Sequence, residues 1–152
     1  MIETIFDKII RGEEKSWVIW QDDNYLAFLT PYPNTPGVTV VIPKNNLGDY
    51  IFNLEDEKYN NFMMAVKRVS NILEKAFDIP RVALVFEGTE IAYVHAKLYP
   101  LHGQLALEAN IKSNETYFNE KYNGYITTID GQRMSNEELD VIQQKIIDSQ
   151  KS

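Results

Sequence analysis

The feature that most constrains the fold of this chain is a long amphipathic stretch with strand-like runs on both sides of it. Between Glu55 and Phe77, apolar residues recur at the three- and four-residue spacing that places them along one face of a helix. These positions are Tyr59, Phe62, Met63, Val66, Val69, Leu73 and Phe77. We interpret them as core positions, because an apolar stripe on a helix is usually buried against another layer of secondary structure.

Runs rich in β-branched and aromatic residues predict strands before and after this helix. Polar turn residues at 22–24 separate the first two runs, which is typical of a hairpin. Residues 30–37 contain three prolines and a glycine and predict an irregular loop. Pro80 ends the long helix, and the last two runs are joined by a short loop around Gly88. The predicted strands are residues 17–21, 25–29, 38–43, 81–86 and 93–100.

Capping patterns predict a short helix near the start of the chain and another near its end. A Thr-x-x-Asp pattern opens the first, over residues 4–12, and a Ser-x-x-Glu pattern opens the last, over residues 135–147. Between them, residues 122–131 suggest an extended segment and a turn. The sequence therefore predicts an α+β fold, with an antiparallel sheet, a short N-terminal helix, one long helix and a C-terminal helical extension.

The composition excludes several kinds of site. The chain of 152 residues contains no cysteine, so disulfides, thiolate zinc sites and cysteine nucleophiles are absent. Its 22 acidic against 15 basic residues give a net charge of −7, which disfavours binding to nucleic acid. The first residues lack the basic end of a signal peptide, and no apolar run approaches the roughly 20 residues of a membrane span. We therefore expect a cytoplasmic protein with no nucleic-acid or membrane partner.

Both histidines of the chain, His95 and His102, lie in or just after the last predicted strand. Because side chains alternate on a strand, its apolar residues would face the core and its proton-carrying residues a cleft or solvent. The apolar set is Val94, Ala96 and Leu98, and the other set is Tyr93, His95, Lys97 and Tyr99. Lys97 disfavours protonation of His95 and offers a charge to a phosphate. The alternative is an exposed polar face with a structural histidine, and the residues alone leave both open.

Three stretches of the chain carry motifs in a recognisable order: TIFDKIIRGE, VIWQDDNYLAFLTPYPNTPGVTVVIPK and YVHAKLYP. In order and spacing they resemble the histidine-triad (HIT) family of nucleotide-binding proteins over residues 4–100. The stretch HAKLYPLHG is similar to a bacterial subgroup of that family with a C-terminal extension. The resemblance implies a HIT-like domain of residues 1–103 and an extension of residues 104–152 that packs on the same domain.

The resemblance implies a nucleophile at the middle position of the triad. Anchored on Pro100, the three triad positions are Tyr93, His95 and Lys97. In the family the middle histidine attacks the α-phosphorus of a nucleotide and forms a nucleotidyl-imidazole intermediate. His95 is therefore the implied nucleophile, and Lys97 and Tyr93 are expected to support the phosphate.

The resemblance also implies a nucleoside pocket. It consists of Ile5, Phe6, Ile9, Phe28, Leu29, Thr30 and Val40. Phe6, Ile9 and Phe28 are suited to sandwiching a flat base, although ordinary core packing explains them equally well. Thr30 stands where the family has a ribose-binding acid, so it lacks the charge-assisted hydrogen bond that a carboxylate makes.

Several departures from the family pattern fall on this implied site. Val38 and Asn46 replace family histidines, and residues 87–92 lack the family's phosphate-cradling G-Q-S-V run and carry two acids. These changes put the catalytic rate in doubt more than the affinity for a nucleotide. Asn46 and His102 are accessory candidates; His102 is either a general acid or a histidine on a surface turn.

The resemblance leaves two functions open, and a third alternative is that the chain is an unrelated α+β domain. The first is a hydrolase or nucleotidyl transferase that acts on dinucleoside polyphosphates or nucleoside phosphoramidates through His95. The second is a catalytically degenerate module that binds a nucleotide or a protein. The expected ligand is a purine nucleotide or dinucleotide, and the expected assembly is a homodimer formed through the long helix and a sheet edge. We expect no metal ligands and no required cofactor, with magnesium accompanying only a polyphosphate substrate.

Overall fold

The computed structural model describes residues 2–103 and 132–151, which form an α+β fold, as predicted. The elements in chain order are α1 (Ile5–Ile10), β1 (Trp17–Gln21), β2 (Tyr25–Leu29), β3 (Thr39–Pro43), a 3₁₀ turn (Ile51–Asn53), α2 (Asp56–Phe77), β4 (Val82–Val85), β5 (Ala96–Pro100) and α3 (Asn136–Ser149). Five strands form one antiparallel sheet in the order β1-β2-β3-β5-β4. The predicted extended segment and turn at 122–131 lie outside the described residues. Within those residues, no helix has the length and apolar character needed to cross a bilayer.

Both predicted capping patterns are present at the helix starts. At α1, one carboxylate oxygen of Asp7 accepts hydrogen bonds from the backbone N–H and the hydroxyl of Thr4, at 2.7 and 2.8 Å. The helix ends at Ile10, two residues before the predicted end, because Gly12 adopts a left-handed φ of 74° that a helix cannot continue. At α3, Ser135 and Glu138 form the reciprocal capping box.

The larger apolar cluster fills one face of the sheet beneath α2 and α3. On α2, Phe62, Val66, Val69 and Leu73 are buried in it, which confirms their prediction as core positions. Met63 is half-buried and lies outside this cluster. Helix α3 contributes Leu139 and Ile146, both buried, and contacts β1 and α2. A hydrogen bond of 2.9 Å from Trp17 Nε1 to Asp140 Oδ1 ties α3 to the edge strand β1.

A smaller apolar cluster covers the opposite face of the sheet, under the short helix α1. It contains Phe6, Leu26, Phe28, Val40, Ile42 and Tyr93. Their neighbours Ala27 and Val41 belong to the larger cluster, so side chains alternate between the two faces along β2 and β3. A helix of six residues covers less of a sheet than α2 with its 22 residues. The α1 face therefore leaves space for a ligand between helix and sheet, while a second, larger cavity of about 1070 Å³ lies beside α2 and the β1–β2 turn.

The last strand is shorter than the sequence suggested. It begins at Ala96, where pairing with β3 stops, so the prediction of a strand over 93–100 is wrong for its first three residues. The reason is a different partner: the N–H of Val94 donates to the carbonyl of Gly48, in the loop after β3, at 2.6 Å. The predicted alternation nevertheless holds across this boundary, since Val94 lies in the larger cluster and Tyr93 in the smaller one.

Candidate functional site

A cavity of about 520 Å³ lies between α1 and the sheet face that carries the smaller cluster. All seven residues predicted to bind the nucleoside line it, and so do two of the three residues predicted to act on the phosphate. They are Ile5, Phe6, Ile9, Phe28, Leu29, Thr30, Val40, His95 and Lys97. Residues that are distant in sequence therefore meet at one concave surface, with apolar walls and polar groups at its margins.

The imidazole of His95 is held in one tautomer by a backbone carbonyl. Its Nδ1 lies 2.6 Å from the carbonyl oxygen of Tyr93, and because that oxygen can only accept, Nδ1 carries the proton. In the neutral ring the lone pair is then on Nε2. Phe6 packs edge-on against the ring, with centroids 5.3 Å apart. In the described part of the chain, Nε2 makes no hydrogen bond. Every buried side-chain nitrogen there has a hydrogen-bond partner, so Nε2 is not buried and retains access to solvent.

The surroundings of His95 keep it neutral. Burial is the main cause and lowers the pKa of His95 below its ordinary value, while the hydrogen bond to the Tyr93 carbonyl opposes this shift. The positive charge of Lys97 lowers the pKa further, in the direction expected from the sequence. Burial, rather than Lys97, is thus the larger reason that His95 presents a lone pair near neutral pH. The sequence could not show this effect of burial on the pKa, because it depends on how closely Phe6 and the strands enclose the ring.

Lys97 lines the cavity, but its charge is partly balanced. Its Nζ lies 2.9 Å from Oε1 of Glu87, and the lysine side chain is 15% exposed. A second acid, Glu90, also lines the cavity and has a left-handed φ of 68°. These are the two acids that the sequence placed in the loop before His95. The positive charge that Lys97 was expected to offer to a phosphate is therefore present, but it is partly neutralised by Glu87.

Tyr93 is not brought to the cavity. Its side chain is fully buried, and its hydroxyl donates a hydrogen bond of 2.7 Å to the carbonyl of Pro43. Burial, with a smaller contribution from Asp7, raises its pKa to about 12, so the phenol stays protonated. The expectation that the Tyr93 hydroxyl supports a phosphate is therefore corrected: the hydroxyl is committed to β3, and it is the Tyr93 carbonyl that serves the site.

The two accessory candidates, His102 and Asn46, also lie away from the cavity lining. Nε2 of His102 is 2.8 Å from the carbonyl of Pro36, and its ring packs against Phe77. The five residues of β5 lie between His95 and His102 and span roughly 17 Å of extended chain. A general acid must reach the leaving group directly or through one water, so within one chain His102 does not fit that role.

Asn46 stabilises the loop after β3, and this loop in turn binds the segment before His95. Its Oδ1 accepts a hydrogen bond of 2.9 Å from the N–H of Gly48, whose own carbonyl accepts from Val94. Gly88 approaches the same loop so closely that a Cβ there would collide with the carbonyl of Asp49. The loop after β3 is therefore the template on which the chain leading to His95 rests.

Several cavity residues were not identified from the sequence. Lys15 and Arg133 lie at its margin, both close to the ring of Trp17, with Nζ at 5.3 Å and Cζ at 5.9 Å from the ring centroid. Lys15 precedes β1 and Arg133 precedes α3, so no local pattern joins them. A single basic residue just before a strand and another just before a helix do not predict a shared site, because only the packing of α3 on β1 brings the two together.

No group of three histidine, cysteine, aspartate or glutamate side chains that could hold a metal ion occurs in residues 2–103 and 132–151. The expectation that catalysis needs no metal therefore stays a prediction. The side chains at the cavity can supply a nucleophile from His95, a positive charge from Lys97, and flat apolar walls from Phe6 and Phe28.

Comparison with known proteins places these features in context. The HIT domain family matches residues 11–147, which extends beyond the region of motif resemblance into α3. An uncharacterized HIT-like protein of Methanocaldococcus jannaschii is 32% identical over 100 residues, which cover 63% of this chain and 77% of that protein. A HIT family hydrolase of Legionella pneumophila superimposes with a TM-score of 0.58 at 26% identity, over 66% of this chain and 95% of that one. A hypothetical histidine triad nucleotide-binding protein of Sulfolobus tokodaii shares the fold, with a TM-score of 0.73 at 20% identity over 96% of this chain and 91% of that one.

Proposed function

This chain belongs to the HIT domain family, and we propose that it is a nucleotide-binding hydrolase or nucleotidyl transferase with His95 as its nucleophile. The observation that carries the proposal is the hydrogen bond of 2.6 Å from Nδ1 of His95 to the Tyr93 carbonyl, at the wall of the cavity. It fixes the proton on Nδ1 and leaves Nε2 to attack. The lowered pKa of His95 keeps that lone pair available near neutral pH.

In the proposed reaction, Nε2 of His95 attacks the α-phosphorus of the substrate. A bond forms between nitrogen and phosphorus as the bond from phosphorus to the leaving group breaks. The leaving group is an amine for a nucleoside phosphoramidate and a nucleoside phosphate for a dinucleoside polyphosphate. An amine takes a proton from solvent as it leaves, and the water that attacks in the second step returns one to solvent. Water then attacks phosphorus, the bond to Nε2 breaks, and a nucleoside monophosphate is released. The Tyr93 carbonyl stabilises the positive charge that the ring acquires while it is bonded to phosphorus.

The proposed pose of the nucleotide follows the chemistry of the cavity walls. The base lies against the apolar wall that Phe6, Ile9 and Phe28 form. The rings of Phe6 and Phe28 contact each other edge-on, with centroids 5.8 Å apart, so the base lies over this wall rather than between the two rings. The ribose lies beside Thr30 at the end of β2, where a hydroxyl rather than a carboxylate is available. The α-phosphate lies between His95 and Lys97. When it binds, it competes with Glu87 for the lysine ammonium.

A second candidate function is a binding module without turnover. The observation that favours it is the ion pair of 2.9 Å between Lys97 and Glu87, together with the carboxylate of Glu90 at the cavity. Two acids beside a phosphate weaken the electrostatic stabilisation that its transition state requires. In this candidate a nucleotide still binds through the apolar walls, and His95 contributes a hydrogen bond rather than a covalent step.

Turnover measurements separate the two candidates. The wild-type protein is incubated with adenosine phosphoramidate and with diadenosine tetraphosphate, with and without magnesium, beside His95→Ala and His102→Ala. The enzyme proposal expects His95→Ala to lose turnover by on the order of 1,000-fold or more. It expects His102→Ala, the matched control for removal of an imidazole, to retain it. Absence of turnover in wild type, with a melting temperature that still rises with adenosine monophosphate, would select the binding module.

We also propose that the protein forms a homodimer through the exposed side of α2, on which Met64 is 64% exposed. Light scattering checks this directly. The expected mass is twice that of the 17.6 kDa chain, and a monomer mass over the micromolar range contradicts the dimer.

A further inference from the structure

The cavity carries positive charge at a second place, far from His95. Lys15 and Arg133 both line it, and in residues 2–103 and 132–151 neither forms an ion pair with a carboxylate. Glu14 also lines this margin, and Asp140 accepts a hydrogen bond from the Trp17 indole on which both cations pack, so two acids stand against the two cations. The margin near His95 has Glu87 and Glu90 against Lys97 and a neutral imidazole. The charges at the Lys15 and Arg133 end are therefore balanced, whereas the end near His95 has one more acid than cation.

The strand register gives the separation of the two ends. Lys97 on β5 is level with Val40 on β3, Phe28 on β2 and Val18 on β1. Three strand spacings lie between β5 and β1, which amounts to roughly 14 Å. Lys15 precedes β1, and Arg133 is held near the end of β2 because its neighbour Met134 donates to the carbonyl of Pro31 at 2.8 Å. Two phosphates on one ribose lie closer together than this, so the long side chains of Lys97, Lys15 and Arg133 have to reach over β3 and β2 toward the ribose.

Arg133 retains hydrogen-bonding capacity toward the cavity. One terminal nitrogen donates to the carbonyl of Met134 at 2.7 Å, and the other donates to Oδ1 of Asn136 at 2.9 Å. A guanidinium has five N–H groups, so three remain, in a fork geometry that matches phosphate oxygens. Both cations lie over the ring of Trp17, and this cation–π contact restricts the orientations of their side chains.

We infer that Lys15 and Arg133 form a subsite for a second phosphate on the ribose, so that the ligand class is a nucleoside bisphosphate. The inference rests on the proposed function, in which the ribose lies beside Thr30. Thr30 offers no negative charge to repel a phosphate at the 2′ or 3′ oxygen, and its neighbour Pro31 is tied to the segment that carries Arg133. The reacting phosphate, at the 5′ position, remains with His95 and Lys97.

The test is a binding measurement that needs no turnover. Calorimetry compares adenosine 5′-monophosphate with adenosine 3′,5′-bisphosphate and adenosine 2′,5′-bisphosphate. We expect at least one bisphosphate to bind about tenfold more tightly than the monophosphate at low salt, and this advantage to shrink as salt rises. In Lys15→Gln/Arg133→Gln the advantage disappears while affinity for the monophosphate is kept. The matched control is Lys67→Gln/Arg81→Gln, which removes two exposed cations outside the cavity and keeps the advantage.

The outcomes separate the inference from the proposed function. If the monophosphate binds and neither bisphosphate binds more tightly, the second-phosphate subsite is wrong and the proposed function stands. If the control double variant loses the advantage as well, the effect belongs to net charge and the subsite is again wrong. If none of the three nucleotides binds, the proposed function fails, and the inference fails with it.

Discussion

The two faces of the sheet are built from the same strands but are covered to different extents. One face is closed by the 22 residues of α2 together with α3, and the other by the six residues of α1. The first face holds a continuous core, whereas the second holds a small cluster beside a cavity of about 520 Å³. His95 stands at the margin of the second face. The difference separates residues that maintain the fold from residues that can meet a ligand.

The largest expected effect compares one phenylalanine from each face. Phe62 is fully buried and stacks on Tyr25 with ring centroids 5.5 Å apart, whereas Phe28 borders the cavity. We expect Phe62→Ala to lower the free energy of unfolding by about 3–5 kcal/mol, because the surrounding core cannot close the gap. Phe28→Ala should cost about 1–2 kcal/mol less, because its site already adjoins open space.

Urea unfolding measures the loss of stability in both variants. Nucleotide affinity should show the opposite order of effects. Phe28→Ala should weaken binding of adenosine monophosphate, and Phe62→Ala should leave it unchanged at temperatures where the variant is folded. Equal losses of stability combined with equal affinities would remove the distinction between the two faces.

The next prediction concerns the dependence of stability on pH. The pKa of His95 is lowered in the folded protein, chiefly by burial, from an ordinary value of 6.5. The unfolded chain therefore binds a proton more readily, and the contribution of His95 to stability is fully present above pH 6.5 and is lost as the pH falls through the folded pKa. His95→Gln should have a flatter stability profile below pH 6.5 than wild type. Parallel profiles of the two proteins would contradict a depressed pKa.

The smallest expected effects are opposite shifts of the His95 pKa in two neighbouring variants. The charge of Glu87 raises this pKa and the charge of Lys97 lowers it. Glu87→Gln should therefore lower the pKa of His95, and Lys97→Met should raise it. Titration followed by the imidazole NMR signals checks both, with His102 as an internal control. Shifts in the same direction would mean that the ion pair acts on His95 through structure rather than through charge.

The sequence predicted the parts of this molecule that depend on local pattern. The Thr4–Asp7 cap, the apolar stripe of α2 and the alternation around His95 are each encoded within a few residues, and the structure contains them. The nucleoside pocket came from the family resemblance, and its seven residues do meet at one cavity.

What the sequence could not predict depends on contacts between distant segments. The start of β5 at Ala96 is decided by the bond between Val94 and Gly48, two loops apart. The balanced charge of Lys97 requires knowing that Glu87, on the preceding loop, turns toward it. The meeting of Lys15 with Arg133 at one indole ring depends on how α3 packs against β1. None of these contacts leaves a periodic signal in the sequence.

The most direct test of the central claim is capture of the nucleotidyl intermediate. Protein is mixed with adenosine phosphoramidate labelled at its phosphorus, quenched in base, and digested for peptide mapping, beside His95→Ala and His102→Ala. Bonds between phosphorus and imidazole nitrogen survive base and are cleaved by acid, so the label should be removed by acid treatment. We predict label on the peptide that contains His95 in wild type and in His102→Ala, and no label in His95→Ala. Turnover without label at His95, or label at another residue, would contradict the assignment of His95 as the nucleophile.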